Sequence, residues 1–358
     1  MKKYKFLILT LIFSMAVLAG CSTKKNAEDS NITPEPTKAE EITTAPTIEP
    51  TNEPTKEAES TAEKITMNIA ALKGPTAMGM VELMERAEKG ETTNNYEFTI
   101  AGAADEITAN LIKGDFQIAA IPSNLASVLY QKSEGKIQVA GINTLGVLYI
   151  VETGDSIQSV EDLKGKTIYS TGKGTTPEFT LNYLLSSHGI DPSKDVTIEY
   201  KSEATEVAAM LSESENAIAM LPQPYVTTVQ MTNDKVRVAL DVTKEWEALN
   251  ADSSVVTGVV VVNKKFADEN KEAVEAFLSE YKDSVTYVNG NVEEASALIE
   301  KFGIVKAAVA KQALPYCNIT LIRGDEMKNK VNGYLKVLYE QKPESVGGKL
   351  PEEGFYWE

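Results

Sequence analysis

The sequence predicts an α/β protein of two lobes, each built on a mainly parallel sheet that is flanked by helices. From residue 65 onward, short apolar runs alternate with amphipathic helix patterns and short turns. This alternation favours parallel strands covered by helices on both faces. The part of the chain with globular composition is nearly three hundred residues long. Because that length is large for one hydrophobic core, two lobes are expected.

The alternation continues to residue 262, and the chain beyond it is nearly all helical in pattern. Strands are predicted at 65–72, 96–101, 117–121, 136–142, 147–152, 166–170, 196–200, 217–221, 236–242 and 254–262. Helices are predicted at 78–87, 104–113, 125–131, 179–188, 205–212, 225–231, 272–288, 292–302, 306–313 and 325–339.

Residues 1–20 are typical of a secretory signal peptide. Three lysines precede an apolar run, 6–17, that is too short for a comfortable membrane span. The segment 18–21, Leu-Ala-Gly-Cys, resembles a bacterial lipobox. That resemblance implies cleavage before Cys21 and attachment of lipid to this cysteine. The alternative is a plain signal peptide with a chance cysteine.

Residues 21–64 are predicted to be a disordered tether that begins with the lipidated Cys21. The stretch is poor in large apolar side chains and rich in Thr, Pro, Glu, Lys and Ala, with a loosely repeated Thr/Pro/Glu pattern. Such a composition cannot bury enough surface to offset the entropy of ordering. Its prolines favour a semi-extended chain that would hold a soluble domain near a membrane.

Charge and cysteine content narrow the function classes. The formal net charge is −17, and it becomes −20 when the three lysines of the signal are removed. This acidity argues against binding to nucleic acid or to anionic lipid. The two cysteines are Cys21 and Cys317, so no disulfide is expected if Cys21 carries lipid. Cys317 is expected to be a small buried residue.

A glycine-rich stretch, 170–178, lies between a predicted strand and a predicted helix. Its glycines let the backbone approach a ligand, one of its threonines can cap the helix, and Pro177 suits the first helical turn. Free N–H groups and the positive helix end would hold an anion or a polar acceptor. The spacing of a Walker A loop is absent, and an ordinary strand-to-helix turn is the alternative.

Three further segments accompany this turn: 118–124 (IAAIPSN), 160–166 (VEDLKGK) and 219–225 (AMLPQPY). Together with the lipobox and the tether, they resemble substrate-binding lipoproteins of ABC importers with the type II periplasmic-binding-protein fold. The resemblance covers roughly 65–340. It is to the branch that takes up sulfonates, nitrate, bicarbonate or the thiamine pyrimidine, and none of the motifs specifies a ligand.

In that family two lobes are joined by two crossing strands, and the ligand lies between the lobes. The resemblance implies a first lobe formed by 65–147 and 257–358 and a second lobe formed by 148–256. The crossings are expected near 144–151 and 255–261.

The resemblance also implies that four turns at strand ends line the cleft. Three of the four open helices, so backbone N–H groups would converge on a ligand. The candidate ligand-binding residues are Lys73, Gly74, Thr76, Ser123, Asn124, Gly172, Lys173, Gly174, Thr175, Thr176, Gln223 and Tyr225.

Most of these residues also have a purely structural interpretation. Ser123 and Asn124 suit a helix cap, the two lysines suit a solvated surface, and Tyr225 suits a core position. Thr257 and Gly258 are expected near the ligand, where the second crossing strand meets the cleft. No arginine lies in a cleft turn, which disfavours a carboxylate or phosphate clamp. The ligand classes that remain are a neutral heterocycle and a monoanion such as a sulfonate.

Catalysis is not expected, although related folds also host menaquinone-pathway enzymes and a thiamine-pyrimidine synthase. The one histidine, His188, precedes Gly189 at a helix end and suits a C-terminal cap. The sequence has no HExxH motif, no paired cysteines and no nucleophile elbow, and its acidic residues form no spaced acid–base pair. No metal or cofactor is expected.

The resulting hypothesis is an extracytoplasmic solute-binding lipoprotein, anchored by lipid on the outer face of the cell membrane. It would capture a small polar or anionic organic solute by hinge closure and deliver it, as a monomer, to an ABC permease and its ATPase. A ligand-sensing lipoprotein that reports to a membrane receptor is the alternative. A permease and an ATPase encoded beside the gene would favour transport.

Overall fold

The computed structural model describes residues 64–250 and 253–358, and it folds them into two β-sheets with helices packed on both. The predicted signal peptide, Cys21 and the predicted tether up to residue 63 lie outside the described residues. Within the described part of the chain, no helix is long and apolar enough to cross a membrane.

The strands are short and most follow the predicted apolar runs. In chain order they are β1 (Thr66–Leu72), β2 (Asn95–Ala101), β3 (Ile118–Pro122), β4 (Ile137–Leu145), β5 (Leu148–Glu152), β6 (Thr167–Ser170), β7 (Thr197–Tyr200), β8 (Ile218–Pro222), β9 (Arg237–Asp241), β10 (Val256–Asn263) and β11 (Ile319–Ile322).

The first sheet has the order β11-β4-β10-β3-β1-β2, and the second has the order β7-β6-β8-β5-β9. Strand β1 is parallel to β2 and β3, and β6 is parallel to β7 and β8. The strands next to β10 and β5 are antiparallel to them. Most strands of each sheet point the same way, as the predicted mainly parallel sheets require: β1, β2, β3 and β4 in the first sheet, and β6, β7, β8 and β9 in the second. Strands β5, β10 and β11 run the opposite way, so both sheets are mixed. Each time the chain passes from one sheet to the other, the first strand that it forms is β5 or β10. These two strands are antiparallel to the neighbouring strands that belong to strand–helix–strand units.

The helices cover both faces of the sheets. They are α1 (Pro75–Met78), α2 (Val81–Glu88), α3 (Asp105–Lys113), α4 (Ser123–Lys132), α5 (Thr176–Ser187), α6 (Ala204–Glu213), α7 (Tyr225–Thr232), α8 (Val242–Leu249), α9 (Lys264–Glu269), α10 (Lys271–Gly290), α11 (Val292–Lys301), α12 (Ala307–Ala313) and α13 (Gly324–Gln341).

Most predicted elements are confirmed to within a few residues, and the differences are local. The predicted helix 78–87 is divided into α1 and α2, and α8, α9 and β11 were not predicted. The chain after α13 also lacked a prediction, yet its backbone bridges Tyr356 to Val139 of β4 and buries Phe355. These segments are short, so a periodic pattern has too few residues to show itself.

Two expectations about single residues are confirmed. Cys317 is fully buried next to Met78, and burial raises the pKa of its thiol to about 12, which leaves it unreactive at neutral pH. His188 is the C-cap residue of α5, and its Nδ1 lies 2.8 Å from the carbonyl oxygen of Leu184.

An aromatic cluster joins the helices of the two sheets. Trp246 of α8 is fully buried, with its ring centroid 4.3 Å from that of Tyr183 on α5 and 5.2 Å from that of Tyr334 on α13. The hydroxyl groups of Thr180 and Tyr334 share a hydrogen bond of 2.8 Å. Side chains on helices that follow strands of the second sheet are thus part of the hydrophobic core of the first sheet.

Candidate functional site

The four predicted turns lie at the ends of parallel strands. Two follow β1 and β3 in the first sheet, and two follow β6 and β8 in the second. In open α/β sheets, ligands bind beyond the carboxyl ends of such strands. The architecture therefore places the candidate residues at positions where binding sites form.

One contact joins the turns of the two sheets directly. The hydroxyl of Thr176, at the start of α5, donates to Oδ1 of Asn124, at the start of α4, over 3.3 Å. Both side chains are buried. The Asn124 amide nitrogen also donates to the carbonyl oxygen of Ser345. The starts of α4 and α5 are thus tied together across the two sheets.

Two other candidates are occupied by local hydrogen bonds. The hydroxyl of Ser123 donates to the carbonyl oxygen of Val256 over 2.5 Å, and that of Thr76 donates to the carbonyl oxygen of Leu72 over 2.6 Å. Ser123 is the first residue of α4 and does not cap it with its side chain. These hydroxyl groups fix the turns to the strands.

The glycine-rich turn is closed by its own side chains. Gly172 has a φ of 71°, and a Cβ there would lie 2.7 Å from the Thr175 hydroxyl oxygen and 2.8 Å from Cγ of Pro177. Thr175 precedes α5 as predicted, but its hydroxyl donates to the Gly172 carbonyl oxygen instead of accepting from a helix N–H. Only glycine fits at 172, and the expected threonine cap is not formed.

The predicted anion-holding position of this turn is already paired. The Gly174 N–H donates to the carboxylate of Glu178, a residue in the first turn of α5. The prediction of free N–H groups in this turn is therefore wrong at Gly174. Lys173 is exposed, and its Nζ lies 5.9 Å from the ring centroid of Tyr200.

The remaining candidates differ in their exposure. Lys73 is exposed, while Gly74 beside it is buried. The Gln223 side-chain oxygen accepts from the N–H and the hydroxyl of Thr227, over 3.3 and 2.9 Å, and this caps the start of α7. Tyr225 is half-buried, and burial, followed by the nearby Glu203, raises the pKa of its phenol.

A cleft with a volume of about 860 Å³ lies between α7 and α12. Of its lining residues, only Gln223 was predicted from the sequence to belong to a site. Its floor is buried and consists of Tyr149, Gln223 and Thr227. Its rim is made by Gln230, Met231, Val238, Asp241, Lys244, Lys311, Gln312, Pro315 and Tyr316. We call it the α7–α12 cleft.

Tyr149 and Gln223 offer unpaired donors in this cleft. Tyr149 is 9% exposed, and its hydroxyl has no hydrogen-bond partner among the described residues. Burial, followed by the Asp241 carboxylate, raises the pKa of Tyr149 to about 12, so the phenol keeps its proton at neutral pH. The Gln223 side chain accepts two hydrogen bonds through its oxygen, and within the described chain its amide nitrogen donates none.

A buried polar cluster lies beside α1, where Thr257 and Gly258 were expected near the ligand. The amide nitrogen of Asn143 on β4 donates to the carbonyl oxygen of Thr76 over 3.1 Å. Its oxygen and the hydroxyl groups of Thr257 and Tyr281 are buried without partners in the described chain. A Cβ on Gly258 would lie 2.6 Å from that Asn143 oxygen. The glycine therefore makes room for the asparagine.

Replacing Gly258 with alanine is expected to lower the melting temperature, Tm, by roughly 5 °C, because overpacking costs about 1–3 kcal/mol. Thermal unfolding followed by circular dichroism measures this. Gly290→Ala is the matched control, since that glycine is exposed and a Cβ there meets no atom within 4 Å. Equal Tm values for the two variants would contradict the close packing at Gly258.

The three arginines, and the two lysines that line the α7–α12 cleft, are each paired with a carboxylate, whereas Lys73 and Lys173 of the predicted turns have no such partner among the described residues. Arg86, Arg237 and Arg323 are the three arginines of the sequence, and each lies against a glutamate. Lys244 Nζ lies 3.5 Å from the Asp241 carboxylate, and Lys311 pairs with Glu293. Among the described residues, no cluster of His, Cys, Asp and Glu could hold a metal ion.

Comparison with known proteins identifies the family. Residues 81–314 match the family model described as ABC transporter, phosphonate, periplasmic substrate-binding protein. The chain belongs to this family. Its members are periplasmic substrate-binding proteins, which act outside the cytoplasm and are not enzymes. The importer family expected from the sequence motifs is thereby confirmed. No relative was found among curated protein sequences.

Solved structures confirm the two-lobed periplasmic-binding-protein fold. An ABC transporter protein from Parabacteroides distasonis is 23% identical, with a TM-score of 0.68 over 82% of this chain and 99% of that one. The aliphatic sulphonate binding protein SsuA from Escherichia coli is 17% identical, with a TM-score of 0.67 over 82% and 92%. The alkanesulfonate-binding protein SsuA from Xanthomonas axonopodis, bound to MOPS, is 14% identical, with a TM-score of 0.63 over 81% and 96%.

Proposed function

We propose that this protein captures a small polar or anionic organic solute between its two lobes and delivers it to an ABC permease and its ATPase. The observation that carries the proposal is the hydrogen bond between Thr176 and Asn124, because it joins the two sides of the cleft at the strand ends. Family membership supports the same function, since its members bind a solute for import. A ligand that touches both sides would favour this closed arrangement.

The finer features of the proposal follow from the sequence. We propose that residues 1–20 direct export and that Cys21 carries the lipid anchor on the outer face of the membrane. The tether up to residue 64 would then allow a monomer to reach the permease, without catalysis and without a cofactor. The lobes are proposed to comprise 65–147 with 257–358, and 148–256.

Replacing Thr176 with alanine is expected to weaken solute binding about tenfold, because one hydrogen bond across the closed cleft is lost. Tyr225→Ala is expected to weaken binding as well, since its half-buried ring follows the Gln223 turn.

A thermal-shift panel of phosphonates, sulfonates, nitrate, bicarbonate, thiamine pyrimidines and amino acids finds the solute. A solute at one hundred times its Kd adds roughly 2.7 kcal/mol, a shift of about 5 °C.

Thr205→Ala is the matched control, because Thr205 is an exposed threonine at the start of α6. The Tm of each variant without solute reports whether the fold is intact. If Thr176→Ala and Tyr225→Ala bind as tightly as the original protein, these turns are not part of the site. A conversion of the bound solute into another molecule would instead favour an enzyme.

A further inference from the structure

We propose that the α7–α12 cleft is a binding site for an uncharged polar molecule that contains a ring, such as a heterocycle or a sugar. The inference rests on the proposed function, because it names the class of solute and the place that holds it. It also differs from the phosphonate and sulfonate classes named for the family model and for two of the similar structures.

The size and the floor of the cleft suit a small organic molecule. Its volume of about 860 Å³ lies within the range of small-molecule sites, roughly 300–1,000 Å³. The protonated hydroxyl of Tyr149 and the amide nitrogen of Gln223 are donors at the floor of the cleft that have no acceptor in the described chain. A ligand with matching acceptors would pair with these donors in place of water.

The charges around the cleft favour an uncharged ligand. Its two lysines, Lys244 and Lys311, are paired with carboxylates, and none of its lining residues is an arginine. Tight recognition of an oxyanion usually needs an unpaired arginine or lysine. In the glycine-rich turn, the Glu178 carboxylate already takes the Gly174 N–H that an anion would use. The lining of the α7–α12 cleft therefore has no arginine and no lysine without a carboxylate partner, and the Gly174 N–H of the glycine-rich turn is not free for an anion.

The rim of the cleft offers apolar faces to a ring. Tyr316 is 56% exposed, which is unusual for a large aromatic side chain, and Met231 and Val238 are also exposed. The amides of Gln230 and Gln312 lie on the same rim. Aromatic side chains pack against flat rings, while amide groups pair with their polar edges. This combination suits a heterocycle or a sugar better than a small inorganic ion.

The test uses the full chain, purified in mild detergent and incubated with a small-molecule extract of its host. Molecules retained through gel filtration are identified by mass spectrometry. An uncharged ring compound is expected, and Tyr149→Phe and Gln312→Leu should each lower its retention about tenfold. Thr232→Ala, at the exposed end of α7, is the control that should retain as much as the original protein.

The contrary outcomes separate this inference from the proposed function. An anion whose retention depends on Lys244 and Lys311, but not on Tyr149, would overturn the inference and leave the proposed function standing. An uncharged compound that binds equally well to every cleft variant would overturn its placement in the cleft. Retention of no molecule at all would contradict the inference and the proposed function together.

Discussion

The variant Trp246→Ala is expected to melt about 10 °C below the original protein. Trp246 is fully buried between Tyr183 and Tyr334, and its Nε1 donates to the Ser253 hydroxyl over 3.3 Å. Truncating a buried tryptophan leaves a cavity that costs about 3–5 kcal/mol. For a protein of this size, each kcal/mol corresponds to roughly 2–4 °C in Tm. Thermal unfolding by circular dichroism gives the value.

Tyr316→Ala is the control, because its ring is largely exposed and its loss should leave Tm nearly unchanged. Since the Trp246 ring also bridges α5 and α13, its fluorescence should respond when solute binding changes the contact between the two sheets. A Tm of Trp246→Ala within 2 °C of the original would show that this cluster does not hold the two halves together.

A second large effect is expected from Arg237→Met, which should cost about 3 kcal/mol at neutral pH. The Glu152 side chain is 1% exposed and pairs with the Arg237 guanidinium, while Arg237 is 34% exposed. The Glu152 carboxylate also accepts from the N–H groups of Ser156 and Ile157. Removing the arginine leaves a buried negative charge, although solvent near Arg237 keeps the cost at the lower end of the range for such pairs.

The pH dependence distinguishes this effect from a simple loss of packing. Burial alone would raise the pKa of Glu152, but its hydrogen bonds and Arg237 outweigh it and hold the pKa below its ordinary value of 4.5. The stability that this carboxylate contributes is therefore present above that value and lost as the pH falls through the folded pKa. The difference in the free energy of unfolding between the variant and the original protein should narrow as the pH falls below 4.5, and urea unfolding would measure it.

Lys235→Ala is the matched control, because Lys235 lies two residues before Arg237 in the chain. Its ion pair with Glu215 spans 3.6 Å between largely exposed side chains, so its loss should cost less than about 1 kcal/mol. If the difference in the free energy of unfolding between Arg237→Met and the original protein stays constant with pH, the role given to the buried Glu152 charge is contradicted.

The fold was largely predictable because its strands and helices carry local signals. The apolar run of β3 followed by Pro122 and Ser123, and the glycine-rich turn before α5, show in the sequence where a strand ends and a helix begins. The mixed direction of the strands could not be seen in this way. It depends on which sheet each strand joins, and no local pattern encodes that choice.

The site was only partly predictable for the same reason. The sequence identified Asn124 and Thr176 as candidates, but their contact joins residues far apart in the chain. Tyr149 lies in an apolar run and resembled a core residue until the fold placed its hydroxyl in a cleft. The pairing of Gly174 with Glu178 also escaped prediction, because a carboxylate four residues away can point to solvent or back to the turn.

By itself, the sequence determined the α/β class, the elements and their order, because periodicity, glycine, proline and capping residues act over a few neighbours. Only the tertiary structure decided which donors lack a protein acceptor, which cations have a carboxylate partner and where a cleft opens. Those properties depend on burial and on distances between segments such as α7 and α12, which meet although some eighty residues separate them in the chain. The charge of the pocket is therefore a property of the fold.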